Sequence, residues 1–329
     1  MPQDHFVAQT YLKAFADPAT VKDPEKGGQI HAYNKAQDGK HFFPFAGSIC
    51  KTLDWDQNPM LSPPDALGQW LRIYEPHWAG AVARLATTHH LSTADKFVIS
   101  GYWAHLSTCT PTWQRVATSL QQDDIENVRL PKFIDYALAH PEEFPQVEEY
   151  IKMIKDGSVR IEVDKNYPKA IVTKQLLPHL WGMFHREWSV IYNNTDELFI
   201  TSDNPSCFDY DVYGSDLHPA RYLPLTPRLA LWASMGTTNI PKKIDPNAPP
   251  QNKSVAHEAN EKFVKGMNVL IIKSAERIVL AAQDKSFIGP CVKKYKDWQV
   301  ARVANIRIPA DDGYYEVVQT RPLSRTPSK

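Results

Sequence analysis

The 329-residue sequence holds four cysteines, Cys50, Cys109, Cys207 and Cys291, and no two of them stand at CxxC spacing. That excludes the paired-thiolate motifs of zinc ribbons and dithiol redox proteins and leaves scattered free thiols. Net charge is missing too. Thirty-seven Lys and Arg balance thirty-seven Asp and Glu, so no overall field draws the chain to a polyanion, and nucleic acid or a nucleotide would have to use a local patch. Apolar runs are short, as at residues 269–272, against the ~20 residues that span a bilayer, and the opening MPQDH lacks the basic and apolar segments of a secretory signal. No membrane association and a cytoplasmic location are therefore expected. GxGxxG, GxxxxGK followed by Ser or Thr, and GxSxG are also absent. Their absence counts against dinucleotide-binding oxidoreductases, P-loop NTPases and nucleophile-elbow hydrolases.

What is present suits a globular chain: 43% apolar, 11% aromatic and 22% charged residues can bury a core. Twenty-six prolines punctuate it and shorten the helices. Residues 29–45 predict a hairpin turning at Asp38-Gly39. Trp70, Leu71, Tyr74, Trp78, Val82 and Leu85 recur at helical spacing, and Ser92 with Asp95 has capping-box spacing ahead of a second helix that ends or kinks at Pro111. Residues 131–155 predict short helices on a solvated flank, and residues 175–187 another helix. A second hairpin is expected from residues 189–192 and 198–201, then a strand at 229–234, a proline-rich loop at 239–253, a helix at 254–267, strands at 300–308 and 315–320, and a frayed tail at 323–329. The sum is an α+β fold, a helical middle section packed on a mainly antiparallel sheet, as one compact unit or two interlocked lobes. One domain is expected over 1–322, helix-rich at 60–187 and strand-richer at 188–322, with the N-terminal helix and hairpin at 4–45.

His257, Glu258 and Glu261 begin like a zinc-protease helix but lack its second His, and are read as solvated helix charge. His89 and His90 diverge on a helix and are read as surface or capping residues. Two constellations stand out. His5, Gln9 and Leu12 fall one turn apart on a helical face, so His5 could transfer a proton or bind a metal with Gln9 orienting water or substrate; alternatively Asp4 and His5 cap that helix while Tyr11, Leu12 and Phe15 enter the core. An apolar strand then runs into Thr201, Ser202, Asp203, Asn204 and Pro205. There Asp203 could hold a hard cation or take a proton, with hydroxyls beside it, or the segment is an Asx-Pro turn closing the strand.

Together these stretches resemble an uncharacterised, mainly bacterial domain-of-unknown-function family that opens with His-aromatic-Val-Pro-Gln-x-Tyr-Leu-x-x-Phe, here residues 5–15. The resemblance continues through the first hairpin, Glu75 on a helix, an Arg-Thr-Pro-x-x-Arg stretch matched at residues 109–115, Thr-Ser-Asp-x-Pro at 201–205, an echo at Pro224-Leu225-Thr226-Pro227, and Asn260 at the start of a late helix. Ala8 stands where that family has Pro, and Cys109 where it has the first Arg, which leaves Arg115 to bind an anion.

His5, Gln9, Glu75, Arg115, Asp203 and Asn260, the residues the resemblance picks out, come from distant parts of the chain, are mostly too polar to be chosen for a core, and form a site if they meet. If they do, carboxylates with one His and one Arg suit metal-assisted phosphodiester hydrolysis, as in a nuclease or phosphodiesterase. Glu75 and Asp203 would hold Mg²⁺ or Mn²⁺ or do paired acid–base work, serving catalysis together with His5 and Gln9, and Arg115, Thr201, Ser202, Asn204 and Asn260 would hold substrate. The competing expectation is a non-enzymatic binding or interaction protein in which the same residues form a structural network.

Overall fold

Helical spacing of large apolar residues builds the first half of the molecule. The structure, a computed structural model, describes residues 3–209, 220–234, 254–310 and 313–325. A short strand β1 (Gln3–His5) leads into α1 (Gln9–Lys13), and the hairpin follows as β2 (His31–Asn34) and β3 (Lys40–Phe42). Asp38 (φ 52°) and Gly39 (φ 78°) take the left-handed turn conformation expected of that pair. β4 (Lys51–Leu53) pairs antiparallel with β1.

The long helices are α2 (Ala66–Thr88), α3 (Thr93–Thr108), α4 (Pro111–Asp124) and, after the small α5 (Leu130–Ala139) and α6 (Val147–Lys155), α7 (Tyr167–Phe184). Ser92 Oγ accepts the Asp95 amide at 3.0 Å and starts α3, while Thr110 with Pro111 opens α4 and so interrupts the helical run as expected. Tyr74, Trp78 and Tyr102 are buried between α2 and α3, with Trp78 stacked on Tyr102 at 4.1 Å, while buried Trp103 meets Trp188 edge-on. Gly101 makes this possible: a Cβ there would lie 2.3 Å from the Tyr74 ring. The flank formed by α5 and α6 buries only Ala137.

The second half carries β5 (Glu187–Tyr192), β6 (Thr201–Ser202), β7 (Cys207–Asp209), β8 (Ala220–Thr226), β9 (Leu229–Ser234), β10 (Ser254–Glu258), α8 (Glu261–Ser274), β11 (Ile278–Ala281), α9 (Ile288–Lys294), β12 (Trp298–Ala310) and β13 (Gly313–Ser324). One sheet has the order β10-β5-β9-β8-β7, antiparallel except for the β10–β5 pair; a second has the order β3-β2-β11-β6; and β12 with β13 forms a long hairpin. The fold is α+β with mainly antiparallel sheets. One core lies among α1, α2, α3, α7 and the first sheet, and another around α8, β11 and α9.

Three expectations are corrected. The second hairpin does not form, because β5 pairs with β9 and β10 whereas Thr201 and Ser202 pair with β11. Ahead of that strand the Asn268 side chain replaces a ladder partner, accepting the Ile200 amide at 3.1 Å and donating to the Leu198 carbonyl at 2.8 Å. The helix expected at 254–267 is a strand followed by a helix, divided where Asn260 Oδ1 accepts the Phe263 amide. The expected tail at 323–329 is in part ordered: β13 runs to Ser324, and the Arg325 amide donates to the Asp297 carbonyl at 2.8 Å. The proline-rich loop expected at 239–253 lies outside the described residues.

Candidate functional site

β6 ends at Ser202, and the next residue turns its carboxylate inward. Asp203 Oδ1 accepts the Glu276 amide at 2.9 Å, and its Oδ2 accepts the amides of Arg277 at 2.7 Å and Ile278 at 3.0 Å. Burial pushes Asp203 up to about 6, against the pull of those three amides. Its neighbours are fastened in the same manner. Ser202 Oγ accepts the Asn204 amide, and the Asn204 side chain donates to the Ser274 carbonyl at 2.9 Å. Thr201 Oγ1 lies 2.7 Å from the Tyr11 hydroxyl, which also donates to the Pro224 carbonyl at 2.7 Å. Nearby, buried Lys35 donates to the carbonyls of Ile272, Ala275 and Trp298 at 3.0, 2.8 and 2.6 Å. Burial lowers its ammonium to about 8, while the charge on Asp203 works in the other direction.

Arg115 is not left open for an anion. Its Nε and Nη2 donate to both oxygens of Glu276 at 2.8 and 2.9 Å, and Nη2 also donates to the Val300 carbonyl at 2.7 Å. Cys109, where the resembling sequences carry Arg, is buried, and burial pushes its thiol up to about 12. Asn260 caps α8. Ala8 has φ −56° and ψ 139°, values a proline adopts, so its substitution for Pro leaves the entry into α1 unchanged.

A second polar group surrounds the start of the chain. His5 belongs to β1 and not to the helix, whose first residue is Gln9; Ala8 occupies the N-cap position, so neither Asp4 nor His5 caps α1. Tyr11, Leu12 and Phe15 are fully buried, as the packing alternative has it. The His5 ring bonds the Gly47 backbone, its Nε2 is buried without a hydrogen-bond partner, and burial lowers its pKa while Glu75 and Asp4 act to raise it. Glu75 Oε1 accepts the Thr10 hydroxyl at 2.6 Å, and the Gln9 amide donates to the Glu25 carbonyl. Asp56, which the sequence does not single out, is raised to about 6 by burial and by Asp4. Its Oδ1 is buried without a partner.

The expected residues thus divide between two networks joined through α1, where Thr10 meets Glu75 and Tyr11 meets Thr201. His5, Glu75 and Thr10 belong to one; Thr201, Ser202, Asp203, Asn204 and, through Glu276, Arg115 belong to the other. No hydrogen bond joins His5 or Glu75 to Asp203, whose two oxygens both accept backbone amides. Among the described residues the one group of three His, Cys, Asp or Glu ligand atoms within 4.8 Å of one another is His31, His41 and Asp284. It includes neither Glu75 nor Asp203. The hairpin register offered a signal for the two histidines, since β3 places His41 opposite Tyr33, but not for Asp284.

A cleft of about 760 Å³ opens between α4 and residues 160–165. Arg115, Arg160 and Lys165 line it together with Asp123, Glu126 and Glu162, a mixture that concentrates no field of one sign. Among the described residues no helix is long and apolar enough to cross a membrane.

Residues 3–285 match the family described as Protein of unknown function (DUF4238), and the chain belongs to that family. No curated protein and no solved structure matches the chain.

Proposed function

We propose that this chain is a binding or interaction protein whose motif residues hold the N-terminal segment, the sheets and the C-terminal hairpin in one arrangement. The observation that carries this reading is the Asp203 carboxylate, which accepts three backbone amides and is buried. A carboxylate so placed has three of its roughly four lone-pair sites engaged by the backbone and serves as an anchor. The bidentate Arg115–Glu276 pair and the Tyr11–Thr201–Pro224 contact add to the same frame. Apolar surface for a partner is available on the α5–α6 flank, where Phe133, Tyr136, Leu138 and Tyr150 are exposed.

A second reading keeps the chain as a metal-assisted phosphodiester hydrolase acting on nucleic acid or a nucleotide. One observation favours it: the His5 imidazole lies in the field of Glu75 and its Nε2 has no hydrogen-bond partner, which leaves a ring nitrogen with no competing bond for a proton transfer. In that form His5 moves the proton and Glu75 is the carboxylate left for Mg²⁺ or Mn²⁺. The experiment is hydrolysis of bis(p-nitrophenyl) phosphate and of single-stranded DNA with Mn²⁺, for the unaltered chain, Glu75→Gln and Asp203→Asn. The binding reading expects no Mn²⁺-dependent turnover and a lowered Tm for Asp203→Asn. Turnover abolished in Glu75→Gln at unchanged Tm would establish the hydrolase instead.

A further inference from the structure

The four-stranded sheet carries a cluster that neither network uses. His31 lies on β2 and His41 on β3, and because Tyr33 pairs with His41 the two histidines are diagonal neighbours on one sheet face. His31 Nδ1 and His41 Nε2 are 2.9 Å apart, and their rings are inclined by only 18° with centroids 5.1 Å apart. Phe43 packs on the His31 ring at 4.3 Å and Tyr33 on the His41 ring at 5.0 Å, so both imidazoles are held by aromatic contact. Asp284, in the chain leaving β11, brings a carboxylate oxygen within 4.8 Å of a ring nitrogen of each histidine.

We propose that His31, His41 and Asp284 form a binding site for one divalent transition ion of the zinc class, with Tyr33 as a positioning residue that acts through Asp284. Two nitrogens bound to one tetrahedral zinc at ~2.0–2.1 Å stand about 3.3 Å apart. The observed pair therefore needs to open by only a few tenths of an ångström. In the free protein one nitrogen donates to the other; the ion replaces that proton and takes a lone pair from each. Two imidazoles and one carboxylate suit zinc, cobalt, nickel and copper over magnesium or calcium, which prefer all-oxygen surroundings, and three protein ligands leave a coordination position open.

The carboxylate is oriented as ligating carboxylates are. The Tyr33 hydroxyl donates to Asp284 Oδ1 at 2.6 Å, and the Lys285 backbone bonds the same hydroxyl. Its proton is thereby directed at Oδ1, and the other oxygen is left to meet the ion. His31 is half-buried, while His41 and Asp284 are exposed, so the ion has a path from solvent.

The test is calorimetric titration of the tag-free, EDTA-treated full chain with Zn²⁺, together with the visible absorption of its Co²⁺ form. The expected result is one ion per chain, with affinity lowered at least about 100-fold in His41→Ala and in Asp284→Asn and about 10-fold in Tyr33→Phe. Because His41 and Asp284 are exposed, circular dichroism of these variants should match that of the parent. Mg²⁺ should not compete. Absence of a stoichiometric site for Zn²⁺ and Co²⁺ overturns the proposal, and so does binding that His41→Ala leaves unchanged, since the ion would then sit on other histidines. Should His31→Ala fail to fold, the two exposed variants still decide the matter.

Discussion

Asp203 and Ile278 are bonded in both directions: the Asp203 amide donates to the Ile278 carbonyl at 3.1 Å, and the Ile278 amide donates to Asp203 Oδ2 at 3.0 Å. One residue thus closes the junction between β6 and β11 through both its backbone and its side chain. Asp203→Asn exchanges an acceptor oxygen for a carboxamide NH₂, itself a donor, facing backbone donors, and is expected to cost roughly 2–4 kcal/mol. The cost should depend on pH. Asp203 titrates near 6 in the folded chain against about 3.9 when unfolded, so the folded state holds the proton more tightly and stability falls as pH rises from 4 to 6. The stability difference between parent and Asp203→Asn, measured by urea unfolding, should shrink over that interval. A pH-independent difference would count against a buried, titrating Asp203.

Tyr11 reaches across the molecule to Thr201 and Pro224. Tyr11→Phe leaves buried polar partners unbonded, an expected loss of about 1–3 kcal/mol. In a double-mutant cycle with Thr201→Val the two changes should be non-additive by at least about 0.5 kcal/mol, and strict additivity in chemical denaturation would sever the two residues.

Lys35 gives a slope of the opposite sign at alkaline pH. Its ammonium is lowered from 10.5 to about 8, so the unfolded chain binds the proton more tightly and stability rises between pH 8 and pH 10.5, by on the order of 3 kcal/mol from this group. Lys35→Met should lose that rise, read as the difference between the two proteins' Tm values across the interval.

Ser92 exchanges two hydrogen bonds with Asp95, which also receives the Arg84 guanidinium. Ser92→Ala should cost about 1 kcal/mol. Ser92→Asp, which restores a capping oxygen but sets it beside the Asp95 carboxylate, should recover less than Ser92→Thr when thermal unfolding is followed by circular dichroism.

Local chemistry was legible in the sequence. The turn at Asp38-Gly39, the Ser92 cap and the spacing of Trp70, Tyr74 and Trp78 each follow from residues within a few positions of one another, and the α+β class follows from their order. Distant partners decided the rest. Asp203 could be read locally as a cation ligand or a turn residue, and the choice was made by amides more than seventy positions later. The apolar run ahead of Thr201 reads as half a hairpin because nothing near it reveals that Asn268 supplies its hydrogen bonds. His5 reads as helical until Lys51 is known to lie opposite it in a strand pair. Asp284 joins the two hairpin histidines from a segment that carries no signature of its own.

The C-terminal hairpin lies beyond residue 285, where the family match ends, yet Trp298 supplies a carbonyl to Lys35 and Val300 supplies one to Arg115. A polypeptide trimmed at that boundary would strip each cation of an acceptor and uncover Ile271 and Ile272 where Ile288 and Val292 of α9 join their cluster. The matched segment alone is therefore expected to be a poor folding unit, prone to precipitate, and the hairpin that follows it to serve as its keel.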